Sequence, residues 1–306
     1  MVGVATSYVN PDTDGVAGCV ALAGLAGSAG VPAPLTVALA GEINTETREL
    51  FTVAGVALPP TVPPSDHDSV ALVDTHHPEQ LPTWVRPALV RMVIDHHPGG
   101  NPSAFPHARI DNQYVGAACT LIAERYAERG AGPGPAVAVL LQGGILSNTL
   151  EFVAPSTTAR DRAAYDRLDT LTSCGDTLAT RLRAARARLV DGPTEAVLAA
   201  DVKVFTHRVA RLGLAQLEAP GASALADRDD FWPAYHRVRG RLGLDVLVVN
   251  LADLAASASL LAVTDPDWQQ RIARRYGIGF AAGVGWTGEL FLRKTHLVPM
   301  LAAQQP

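Results

Sequence analysis

The chain has 306 residues, 48% hydrophobic and 18% charged, a balance that supports a sizeable core and excludes global disorder. Its formal net charge is -5 and it has no run of basic residues, so nucleic acid is not expected as a partner. Cys19, Cys119 and Cys174 lie far apart, in neither metal-type spacing nor a disulfide framework, and the N-terminus lacks a basic-then-apolar signal; both fit a reducing, cytoplasmic setting.

A short β-like N-terminus leads into Asn10-Pro11-Asp12-Thr13-Asp14-Gly15 and then a helix. The longest uncharged run, 15–41, is broken by Gly24, Gly27, Gly30, Pro32 and Pro34. It predicts a buried helix, a turn and a strand rather than a membrane span. LTVALA (35–40), SVALVD (69–74) and RMVID (91–95) predict buried strands, and 44–55, 116–130 and 135–146 predict helices, with Asn44 and Thr45 as caps. This alternation points to a parallel sheet covered on both faces. Ligands in such sheets sit at the carboxyl ends of strands, where Asp74 and Asp95 each close an apolar run. An Arg-rich helical stretch (180–190) runs into 191–195, read as a linker between a domain of residues 1–190 and one of residues 196–306. The second domain predicts a shorter α/β pattern over 196–205, 212–219, 244–253, 259–264 and 290–301. The expected fold is α/β: a mostly parallel, doubly wound sheet followed by a smaller α/β domain, with the active-site cleft between them.

Four segments carry chemistry. Asp12 and Asp14, two residues apart at a strand end, can each face a metal, although an ordinary Asp/Gly loop would read the same way. Asp74 is followed by Thr75, His76 and His77. Asp95-His96-His97 closes the next strand, where carboxylate and imidazole together suit manganese, zinc or cobalt; two capping histidines are the plainer reading. The segment 143–161 is a buried helix ending in a polar turn. Only two of the 25 basic residues are lysine, Lys203 and Lys294. In a chain that otherwise uses arginine, each surviving lysine is informative.

These motifs, in this order, resemble the DHH phosphoesterase superfamily (DHH plus DHHA2 domains), and more narrowly the manganese-dependent family II inorganic pyrophosphatases. The first domain offers Asn10 to Asp14, Val73-Asp74, Asp95-His96-His97, the Gly116 segment reaching Thr120, and Gly144-Ile145-Leu146-Ser147-Asn148-Thr149. The second offers Asp201-Val202-Lys203-Val204-Phe205, the strand LGLAQLE (212–218) and Leu292-Arg293-Lys294 running to Val298-Pro299. The resemblance implies a hydrolase that cleaves pyrophosphate or a related small phosphate with a metal-activated water. It implies one or two divalent ions, Mn2+ or Mg2+ with Co2+ as a further option, and a homodimer with no membrane partner. It carries metal binding onto Asp12, Asp14, Asp74, His96 and a weakened Asn148, with Asp12, Asp14, Asp74 and His97 in catalysis. Asp95 would orient a ligand, and His97, Lys203, Arg293 and Lys294 would hold phosphate.

The chain also departs from that pattern. Tyr8 stands where the family has histidine, Asn148 where it has a liganding aspartate, Leu292 where it has serine and Thr295 where it has lysine. Loss of the imidazole shifts preference from manganese toward magnesium. His76 or His77 could supply a replacement ligand. These departures leave open a non-catalytic homologue that binds a phosphorylated ligand. A nucleotide phosphodiesterase of the same superfamily is disfavoured, because no Gly-Gly-Gly-His motif occurs.

Overall fold

The computed structural model describes residues 3–27, 34–64, 66–130, 132–207 and 210–302. The chain separates into two compact units, Met1–Ala185 and Arg186–Pro306. The turn expected around Gly30 and Pro32 lies outside the described residues.

The first unit is built on five parallel strands: β1 (Gly3–Thr6), β2 (Leu35–Val37), β3 (Ser69–Val73), β4 (Val90–Asp95) and β5 (Arg109–Asn112), in the order β2-β1-β3-β4-β5. β2 is shorter than the apolar run 35–40, and the half-exposed edge strand β5 has no apolar run to announce it. Alternate residues serve opposite faces. Ala71, Val73, Met92 and Ile94 enter one core, while Val70, Leu72, Val90 and Val93 enter another. The first core is covered by the helices α1 (Thr13–Gly24), α2 (Thr45–Ala54), α3 (Ala118–Glu128), α4 (Pro135–Asn148), α5 (Ala159–Thr172) and α6 (Gly175–Ala187). The second is covered by short 3-10 turns and loops carrying Trp84, Val85 and Phe105.

Local chemistry sets these helix ends. Asp12 caps α1 by accepting from the backbone N–H of Gly15 at 3.0 Å, and Asn44 caps α2 by accepting from Thr47 at 2.7 Å. Thr158 and Asp161 form a reciprocal capping box on α5. Within α4, Gly144 lets the helix approach its neighbours: a Cβ there would lie 2.4 Å from Cys119 Sγ. Gly→Ala in an exposed helix interior gains up to about 1 kcal/mol. Here Gly144→Ala is expected to destabilise by about 1–3 kcal/mol through overpacking, read as a lower urea midpoint; a higher midpoint would show that the helix can shift aside.

The second unit holds a five-stranded mixed sheet: β6 (Val202–His207), β7 (Ala210–Ala219), β8 (Val246–Asp253), β9 (Ala258–Ala262) and β10 (Val284–Trp286), in the order β10-β9-β8-β7-β6. Only the β7–β8 pair is parallel. Helices α7 (Thr194–Ala199) and α8 (Phe231–Arg241) pack on one face, and α9 (Pro266–Tyr276) on the other. A π-helical turn, Arg293–Leu297, carries the C-terminal basic motif. Among the described residues no helix is long and apolar enough to cross a membrane.

Candidate metal centre

In the first sheet the chain leaves β1 for β2 on one side and later returns to β3 on the other. The carboxyl ends of β1 and β3 therefore flank a topological switch point, the usual ligand crevice of such sheets. The loop after β1 supplies Asp12 and Asp14, the end of β3 supplies Asp74, and β4 ends in Asp95-His96-His97. Asp74 adopts a left-handed backbone (φ 65°) as its N–H donates to Ile94 O at 2.8 Å. Aspartate tolerates this region better than most residues, and such strain concentrates at functional sites. Gly15 keeps the first turn of α1 close by: a Cβ there would lie 2.7 Å from Ser7 Oγ and 3.5 Å from Asp74 Oδ2.

The side chains converge. His96 Nε2 lies 3.0 Å from Asp74 Oδ1 and 3.7 Å from Asp14 Oδ2, with Asp14 and Asp74 fully buried. The Nδ1 atom of His96 is 2.8 Å from Val115 O, so it carries the proton and aims Nε2 at the carboxylates. His97 Nδ1 lies 3.6 Å from Asp74 Oδ1, and Asp74, His96 and His97 offer ligand atoms within 4.8 Å of one another. Burial first, and then the neighbouring Asp74, push the Asp14 carboxyl up to about 7. Asp12 adds to that repulsion and is therefore part of the same charge group, while its side chain caps α1.

Asp95 sits behind this cluster as a hub. Its Oδ1 accepts from the backbone N–H of His96 (2.7 Å) and of His97 (3.1 Å) and from His97 Nδ1 (2.8 Å), and its Oδ2 bonds His76 Nδ1. His76 thus faces Asp95, and His77 Nδ1 lies 3.3 Å from Glu79 Oε1. Neither imidazole falls within the Asp74–His96–His97 group.

The two substituted positions are also present. Tyr8 is buried, and its hydroxyl accepts from the N–H of Asp12 at 3.1 Å. Asn148, at the end of α4, donates from Nδ2 to Asp14 Oδ2 at 2.9 Å and lies 3.1 Å from His96 Nε2. Toward an ionised carboxylate the amide presents its Nδ2, as it does here.

In the second unit Lys203 is buried on β6 opposite Leu214 of β7. Arg293 donates to Leu214 O at 3.2 Å, which places it beside that pair. Its guanidinium is also engaged by Asp201, in a two-point contact of 2.8 and 2.9 Å. Lys294 follows on the π-helical turn, half-buried. Reading residue by residue gave Asp201 no role of its own, and missed the carbonyl of Val115 and the part played by Asn250, which bonds Gln216 Oε1 and Phe291 O beneath the motif. The Asp-x-Lys spacing could have drawn attention to Asp201; nothing local marks the other two.

A five-stranded parallel sheet with an Asp-His-His strand end and a loop of two aspartates at its switch point, joined to a mixed-sheet second unit, defines a DHH-type two-unit protein. The chain belongs to the DHH family: residues 4–145 match the DHH family, N-terminal domain, and residues 180–303 match the DHHA2 domain. A manganese-dependent inorganic pyrophosphatase of Methanothrix thermoacetophila is 26% identical over 299 residues, covering 96% of this chain and 95% of that protein. The crystal structure of a candidate family II inorganic pyrophosphatase of Methanococcus jannaschii superposes with a TM-score of 0.85 at 22% identity, covering 99% of each chain. An exopolyphosphatase-related protein from Bacteroides fragilis shares the fold more distantly, with a TM-score of 0.51 at 12% identity over 98% of this chain and 90% of that one.

Proposed function

We propose that this chain is a divalent-metal-dependent phosphohydrolase acting on pyrophosphate or a related small polyphosphate or phosphate ester. The observation that carries the reading is the buried convergence of Asp74 Oδ1, His96 Nε2 and Asp14 Oδ2 at a switch point. Oxygen and imidazole nitrogen donors suit Mn2+ or Mg2+, and a cation bound at Asp74 would relieve the repulsion between the buried carboxylates. The residues therefore fit a metal, and the manganese-dependent relative supports that choice.

Bound there, a divalent cation supplies Lewis acidity that polarises phosphoryl oxygens and acidifies water. The protein's own groups do the rest. Asp74 and His96 would hold the cation, and the Val115 carbonyl keeps His96 in the ligating tautomer. Asp95 orients His97, whose Nδ1 proton is committed to that carboxylate, leaving Nε2 to meet a phosphate oxygen. Lys203 and Lys294 supply compact ammonium charges for phosphate, beside an Arg293 whose Nη2 is engaged by Asp201. The resemblance also supports a homodimer, and the scattered cysteines a reducing, cytoplasmic setting.

Chelator-stripped protein is expected to release phosphate from pyrophosphate or tripolyphosphate when Mn2+, Mg2+ or Co2+ is restored. No release with any of them, but release by the double variant Tyr8→His, Asn148→Asp, would identify a non-catalytic homologue.

A further inference from the structure

We infer that the Asn148 amide replaces a cation, so that this chain holds a single divalent ion, seated on Asp74 and His96. The inference rests on the metal-dependent reading above and sharpens it.

Asp14 carries the argument. Its Oδ2 accepts from the N–H of Ala118 at 2.6 Å and its Oδ1 from the N–H of Cys119 at 2.8 Å. These are the first amides of α3, whose own N-cap residue, Ala117, has no side-chain acceptor to offer. Asp14 therefore caps a helix from a distance, where an anion is favoured. The Asn148 amide adds a third N–H donor at 2.9 Å. A carboxylate has about four acceptor positions, so N–H donors already take most of what Asp14 offers.

The amide also stands where an ion would have to stand. Asp14 Oδ2 and His96 Nε2 are 3.7 Å apart, and Asn148 Nδ2 lies 2.9 Å from the first and 3.1 Å from the second. An amide nitrogen has no lone pair available for a metal, so in the orientation that donates Nδ2 to Asp14 the Asn148 side chain and a cation exclude each other on the Asp14 side. The remaining ligand atoms, Asp74 Oδ1 and His96 Nε2, lie 3.0 Å apart, close enough to seat one ion. A bound ion would take His96 Nε2 in place of the amide, and Asn148 would still donate to Asp14.

The test counts ions on the full chain. Metal-free protein is dialysed against Mn2+ and the bound metal measured per chain, with electron paramagnetic resonance to detect spin coupling between neighbouring ions. One ion per chain with an uncoupled spectrum is expected for the wild type, and two coupled ions for Asn148→Asp. Two ions of similar affinity in the wild type would overturn the inference, as would a folded Asn148→Asp variant that still binds one. If that variant fails to fold, the wild-type count decides alone. One bound ion without phosphate release would remove the catalytic reading and leave the inference standing. No bound ion would remove both.

Discussion

Replacing Asp74 with asparagine is expected to lower metal-dependent phosphate release by about 10²–10³-fold, the loss typical when one preorganised electrostatic partner is removed from a reacting centre. The substitution is close to a pure change of charge. Asparagine tolerates the left-handed backbone at this position as aspartate does, so the turn that ends β3 and the bond from its N–H to Ile94 O are retained. What is lost is the anionic oxygen 3.0 Å from His96 Nε2. Because Asp74 also repels Asp14 in the buried cluster, the metal-free variant should melt no lower than the wild type. The wild type should then gain stability on addition of Mn2+ while the variant gains much less. Initial rates and melting curves with and without Mn2+ check this together; an unchanged rate in the folded variant would remove Asp74 from the site.

Asp95→Ala is expected to act through stability. Asp95 is fully buried and bonds two imidazoles and two backbone N–H groups. Removing one member of a buried charged pair costs about 3–5 kcal/mol. For a unit of this size that is roughly 6–20 °C in Tm, at about 2–4 °C per kcal/mol. The loss carries a pH signature in metal-free protein. Burial pushes the Asp95 carboxyl up, but the charge of His97 and hydrogen bonds from His76 and His97 outweigh it and hold the group well below the ordinary range. A carboxylate depressed on folding contributes fully above its unfolded value of about 4 and loses that contribution as pH falls toward the folded value. The Tm gap between wild type and variant should therefore be wide at neutral pH and narrow below about pH 4. A gap that stays constant with pH would mean that Asp95 matters for packing rather than charge.

Much of this architecture was legible before any coordinates. Apolar runs ending in Asp74 and Asp95 correspond to β3 and β4, because a strand buried on both faces must be apolar almost throughout. Asn44 and Gly55 bracket α2 as cap chemistry requires. The edge strand β5 was illegible because its RIDN sequence is half-exposed and pairs on one side only, so no apolar pattern is demanded of it.

By itself, the sequence determined the residue types at the strand ends, the two substitutions at positions 8 and 148, and the order of motifs that marks the DHH family. Only the tertiary structure decided how those groups are used. It assigned Asp14 to the N-terminus of α3, tied Arg293 to Asp201, set His76 and His97 on one carboxylate and turned the Asn148 amide toward Asp14 and His96. The physical reason is range. Strand and cap signals act over a few neighbouring residues. A buried polar atom must instead find its partner wherever the fold brings one, here more than a hundred positions away between Asp14 and Ala118.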